Sequence, residues 1–138
     1  MATRIGYTQP QAGLLGEART QKVLGGAIAV TVADNVTGNN VALLRAPAGF
    51  VVTGVYLALT DIDSGTAVLV TLGDSGSGAR FVASTNIGQA GGSTTTLAAT
   101  GLYYQFPVDT DILLNFATQS GTPVAGTATA YLTGFVGG

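Results

Sequence analysis

Phe50-Val51-Val52-Thr53-Gly54-Val55-Tyr56-Leu57-Ala58-Leu59-Thr60 is a two-residue alternation in which both sets of positions are apolar. Read as one strand, it puts Val51, Thr53, Val55, Leu57 and Leu59 on one face and Val52, Gly54, Tyr56 and Ala58 on the other. A sheet with one wet face shows apolar and polar residues in turn. A strand apolar on both faces is therefore expected to be covered on each, once by its own core and once by something else.

Outward from this stretch the chain keeps β chemistry. Strands are expected at 27–33, 41–46, 67–73, 79–84, 102–106, 111–118 and 126–135, with one further β segment inside the Gly, Ser and Thr-rich stretch 86–100. In 111–118 Ile112, Leu114 and Phe116 face inward and Asn115 faces the other way. In 126–135 Ala128, Ala130 and Leu132 alternate with Thr127, Thr129, Tyr131 and Thr133. Short glycine-bearing links at 61–66 and 74–78 have the form of hairpin connections. About eight strands with turn signals between them predict an all-β fold, an antiparallel β-sandwich or jelly roll. Residues 1–24 contain Gly6, Pro10, Gly13 and Gly16 and keep no alternation, which reads as an extended N-terminal arm. Residues 25–138 then form a single domain. The competing reading of the arm is a first edge strand folded onto the body.

What the chain lacks bounds its chemistry. It has no His, Cys or Trp, one Lys, and only 9% charged residues. His and Cys reach a neutral pKa with the least environmental help, so the expectation is that the protein is not an enzyme and takes no cofactor. So few charges also leave a surface poorly protected against self-association. No apolar run reaches the roughly twenty residues that cross a bilayer, and the first ten residues show no secretory signal, so no membrane partner and synthesis in the cytoplasm are expected. Residues 1–22 hold Arg4, Arg19 and Lys22 against Glu17, whereas residues 23–138 hold Arg45 and Arg80 against six aspartates. A basic arm precedes an acidic body, and such a body repels nucleic acid.

Few residues suggest a site. Asp61-Ile62-Asp63-Ser64-Gly65 starts like a calcium loop, but Leu72 stands where a twelfth-position Glu is needed; Asp61 and Asp63 are a weak metal candidate, and Asp and Ser are ordinary turn formers. Asp61 with Asp63 or Asp109 with Asp111 supplies paired carboxylates without an aromatic cleft to raise either pKa. Gly73-Asp74-Ser75-Gly76-Ser77-Gly78 has the glycines of a phosphate loop but no Lys, and reads as a hairpin tip. Tyr103 and Tyr104 sit on opposite faces of their expected strand, leaving one for the core and one for solvent. In the arm, Arg4, Tyr7, Gln9, Gln11, Arg19 and Lys22 could lie against a partner, and Val52, Tyr56, Tyr103, Tyr131 and Phe135 are the expected self-association faces.

The series Val52-Thr53-Gly54-Val55-Tyr56-Leu57-Ala58-Leu59-Thr60-Asp61-Ile62-Asp63, Val70-Thr71-Leu72-Gly73-Asp74, Ala79-Arg80-Phe81-Val82-Ala83, Tyr103-Tyr104-Gln105-Phe106 and Gly126-Thr127-Ala128-Thr129-Ala130-Tyr131 resembles the small all-β capsid decoration, or cement, proteins of tailed bacteriophages. The resemblance covers residues 50–135. It implies a trimer on the capsid surface of the virion, with the major capsid protein as partner and a terminal arm lying on the lattice. It implies a mechanical role, in which bridging neighbouring capsid subunits resists the pressure of packaged DNA. The alternatives are a carbohydrate-binding or host-attachment module of a fibre or spike, using exposed Tyr and the Asp-rich loops, and a head-to-tail or tail structural protein.

Overall fold

The computed structural model describes residues 21–137. Eight strands follow one another: β1 (Lys22–Val30), β2 (Asn40–Ala46), β3 (Phe50–Leu59), β4 (Leu69–Gly73), β5 (Val82–Thr85), β6 (Gly92–Thr94), β7 (Thr110–Thr118) and β8 (Gly126–Val136). They form two four-stranded sheets with orders β1-β8-β3-β6 and β2-β7-β4-β5, every pairing antiparallel. β1 pairs with β8, β2 with β7, β3 with β6 and β4 with β5, so the chain is one long hairpin folded over into two layers. That nesting is a jelly roll, and it settles the choice left open by the strand count.

The two sheets close on Phe50, Leu57, Leu132 and Ala130 from the first and Ile112, Leu114, Phe116 and Leu72 from the second, all of them buried. Phe81 and Phe106 fill one side of this core, with Phe106 edge-on to Tyr104 at a 5.1 Å centroid distance. The alternation in β7 and β8 runs as the sequence dictates. The alternation in β3 does not. Its register against β8 slips between Val52 and Gly54, leaving Thr53 as the extra residue of a bulge whose hydroxyl donates to the Thr133 carbonyl at 3.2 Å. A bulge moves every later side chain to the opposite face. Hence Phe50 and Val52 share the core with Val55, Leu57 and Leu59, and the apolar content of both expected faces belongs largely to one.

Three other expectations change. β1 covers Lys22–Val30, starting and ending earlier than the expected 27–33, because Thr31 opens a single 3-10 turn whose Asp34 carboxylate accepts from the Thr31 amide at 2.8 Å. The link at 61–66 is no hairpin: it carries the chain from β3 in one sheet to β4 in the other. The segment 102–106 is a turn running beside β3, tied by Tyr103 N to Val52 O and by Phe106 N to Phe50 O, each bond 3.0 Å or shorter. Tyr103 has φ +61°, a left-handed conformation that breaks extended structure and throws its ring outward. Its aromatic neighbours still behave as the sequence suggests, since Tyr104 and Phe106 pack inward.

Candidate interaction surface

The outer face of the β1-β8-β3-β6 sheet is assembled by pairs in register. Val23 faces Thr133, Ala27 faces Thr129 and Ala29 faces Thr127 across β1 and β8. Tyr56 faces Tyr131 and Ala58 faces Thr129 across β3 and β8. These residues are exposed or half-buried, while their neighbours Ala128, Ala130 and Leu132 are buried on the opposite side. None of the described residues that point to this face is charged. Near its middle the Tyr56 and Tyr131 rings lie 6.1 Å apart and tilted by 37°, with Tyr56 37% exposed. Small side chains around one aromatic pair make a flat, weakly hydrated surface, the kind that costs little to dehydrate against a partner.

The outer face of the β2-β7-β4-β5 sheet is built differently. Arg45 and Asp111 face each other in register and form a 2.8 Å ion pair open to solvent. Asn40 is opposite Asn115, whose amide donates to the Gly78 carbonyl, and the Thr71 hydroxyl donates there too. Charges and amides hold water at this face.

The aspartates that looked like site candidates are structural. Asp63 is buried, and its carboxylate accepts from the backbone amides of Gly65, Ala67 and Val68, each at 2.8 Å, and from the hydroxyls of Ser120 and Thr122. The Ser120 hydroxyl and these amides hold its pKa well below the usual aspartate range against the opposing effect of burial. Both oxygens are occupied by protein donors, and Asp61 spends one of its own oxygens on the Asp63 amide. Asn35 adds to the stitch by donating to Ile62 O and accepting from Ser120 N. Among the described residues no group of three or more carboxylates converges on a metal position.

At the β4–β5 tip, Asp74 fills the glycine-rich loop itself, accepting from Gly76 N and Ser77 N and pairing with Arg80 at 2.7 Å. The Arg80 guanidinium sits 4.0 Å from the Tyr104 ring centre, so the tip is clamped to the aromatic segment. That loop offers its amides to no external phosphate. Where the edges of β5 and β6 part there is a shallow cleft of about 210 Å³, lined by Val82, Ser84, Thr85, Thr94, Thr96 and Ala98 among others, with no charged or metal-ligating side chain.

Of the expected contact residues, Tyr56 and Tyr131 meet on the outer face and Phe135 lies half-buried at its end. Val52 is removed from it by the bulge and has no exposed surface. Tyr103 is 68% exposed on the turn beside β3 and belongs to no strand itself. Lys22 is the exposed first residue of β1. Arg4, Tyr7, Gln9, Gln11 and Arg19 lie outside the described residues. The residues missed by sequence reasoning are Val23, which precedes Gly25 in the expected arm, and Ala27 and Ala29, small residues of the expected 27–33 strand that carry no contact signal of their own; the Thr series of β8 is the signal that a face with no charge exists.

No protein-family model matches the chain, and no curated protein matches its sequence. Solved structures do match. A chain of the cyanophage Pam1 capsid asymmetric unit superposes with a TM-score of 0.77 at 27% identity, covering 98% of each chain. A chain of the Ralstonia phage GP4 capsid gives 0.68 at 21% identity, over 98% of this chain and 92% of that one. A chain of the acidic stable capsid structure of Helicobacter pylori bacteriophage KHP30 gives 0.58 at 10% identity, over 86% and 95%. The resemblance to phage capsid proteins read from residues 50–135 is thus met by chains of solved phage capsids, as for a capsid-associated phage protein.

Proposed function

We propose that the protein is a structural component of a phage virion that binds the outer surface of the major capsid lattice and stabilises the head by bridging neighbouring subunits. The observation that carries this reading is the charge-free outer face of the β1-β8-β3-β6 sheet on a fold shared with capsid chains. Such a face suits repeated shallow contacts, which add through avidity once one subunit is engaged. The arm, with the first residue of β1, supplies the second element: Arg4, Arg19 and Lys22 dock on acidic capsid surface, and Tyr7, Gln9 and Gln11 follow the lattice.

The test is reconstitution on capsids stripped of this protein. The full chain is expected to bind and to raise the temperature at which the particles release their DNA, and a chain lacking residues 1–20, which spares β1, is expected to fold but bind at least tenfold more weakly. Selective glycan binding, or attachment only at a sixfold or twelvefold neck position, would move the protein to a fibre or to the head-to-tail junction.

A further inference from the structure

The four sheet edges are not alike. β6 has three residues and β5 has four with an irregular register against β4, so neither offers a useful length. β2 has a bulge between Ala42 and Leu44, carries Arg45 and runs into Pro47. Shortness, bulges, charge and proline are the devices by which proteins stop edge strands from pairing. β1 has none of them. It runs nine residues in unbroken register with β8, contains no proline, bears its one charge at Lys22, and exposes Val23 at 59% and Ile28 at 37%. Its outer edge has no partner among the described residues.

We propose that β1 pairs antiparallel with β1 of a second copy across a twofold axis, joining the two β1-β8-β3-β6 sheets into one eight-stranded sheet. The partner follows from the edges, since β1 is the one edge without blunting devices among the described strands, and charge favours one direction. In the register that pairs all nine residues, centred on Gly26, Lys22 of each strand meets Val30 of the other, with Asp34 in the turn just beyond. Antiparallel pairing therefore sets the single cation of each strand beside the acidic end of its partner; parallel pairing would set the two lysines side by side. The centre can close tightly, because Gly26 meets its own copy there and Gly25 faces Ala27. Gly25 is required for a separate reason, since a Cβ at its φ of +134° would collide with the Ala130 carbonyl oxygen. The trimer implied by the resemblance would need β1 to find a different edge on the next copy, and the other three edges are blunted. The contact also fuses the two charge-free faces into one surface. It involves no capsid, so it stands or falls separately from the cement reading.

Ala27 is exposed and, in this register, lies diagonally across the axis from Ala27 of the other copy. Ala27→Lys is expected to weaken the dimer at least tenfold in sedimentation equilibrium while leaving the melting temperature of the monomer unchanged. Lys22→Glu should weaken it about threefold to tenfold, and Lys22→Glu with Asp34→Lys should recover most of the loss. Slow hydrogen exchange along β1 that is lost on dilution would support the pairing. A full chain that stays monomeric at about 100 µM, a dimer or trimer indifferent to Ala27→Lys, or β1 protection that disappears on deleting residues 1–20 from a monomer overturns it. In the last case the chain's own arm covers the edge. A dimer with these properties that binds no capsid would leave the pairing intact and sink the cement reading alone.

Discussion

The two outer faces of the jelly roll are both four-stranded and antiparallel, and their chemistry is opposite. One carries an Arg45–Asp111 pair, asparagines and a threonine tied into local hydrogen bonds; the other carries Val, Ala, Thr and a tyrosine pair with no charge among its described residues. Both sheets share a single core, so folding alone places no different demand on their outsides. Under the proposed function, the asymmetry follows from what each face meets. A face that stays in water tolerates ions, whereas a face that is buried later in assembly gains from having none to dehydrate.

The comparison presumes one core, and truncation inside it gives the largest effects. Leu132→Ala in the first sheet and Leu114→Ala in the second are each expected to cost about 2–5 kcal/mol in denaturant unfolding, with a single transition in both. Two separate transitions would break the premise that the faces belong to one cooperative unit. Next comes the stitch that holds the sheets together at one end. Asp63→Asn is expected to lower Tm at pH 7 by on the order of 10 °C. Because the Asp63 pKa is depressed on folding, its contribution is full above the ordinary value of 3.8 and drains away as pH falls below it. The acid limb of wild-type stability should therefore be steeper than that of Asp63→Asn; parallel limbs would show that Asp63 is not the group responsible.

The direct comparison of faces comes third. Thr129→Glu and Ala42→Glu add the same charge to the two outer surfaces, and each is expected to change monomer stability by no more than about 0.5 kcal/mol. Only Thr129→Glu should reduce capsid binding, by about tenfold to a hundredfold. Equal effects would erase the distinction. Smallest is Arg45→Ala, expected to cost about 0–1 kcal/mol with no loss of binding, as exposed ion pairs usually do.

Much of this was legible in the residues. Ile112, Leu114 and Phe116 against Asn115, and Ala128, Ala130 and Leu132 against the threonines, gave β7 and β8 with their correct inward faces because both strands alternate without interruption. Val52 was misplaced because a bulge leaves no mark in an alternation: Thr53 is as acceptable in a strand as out of one, and only pairing with Thr133 reveals the slip. The 102–106 turn was read as a strand since aromatic residues favour both, and a tyrosine at positive φ has no sequence signature. The crossing at 61–66 depends on donors from Ser120 and Thr122, far along the chain, which local turn rules cannot include. The candidate surface was half visible for the same reason. Tyr56 and Tyr131 were found singly, but their meeting, and the recruitment of Val23, Ala27 and Ala29, are properties of register.

Of the described strands β8 comes last in the chain, and it is flanked on both sides, by β1 and by β3. A nascent chain that has finished β1 through β7 still lacks the centre of its first sheet, and the charge-free surface does not yet exist. A chain cut short before Gly126 would lack that face altogether. Completion through β8 is thus the physical precondition for that face, and whatever reads it reads a finished sheet.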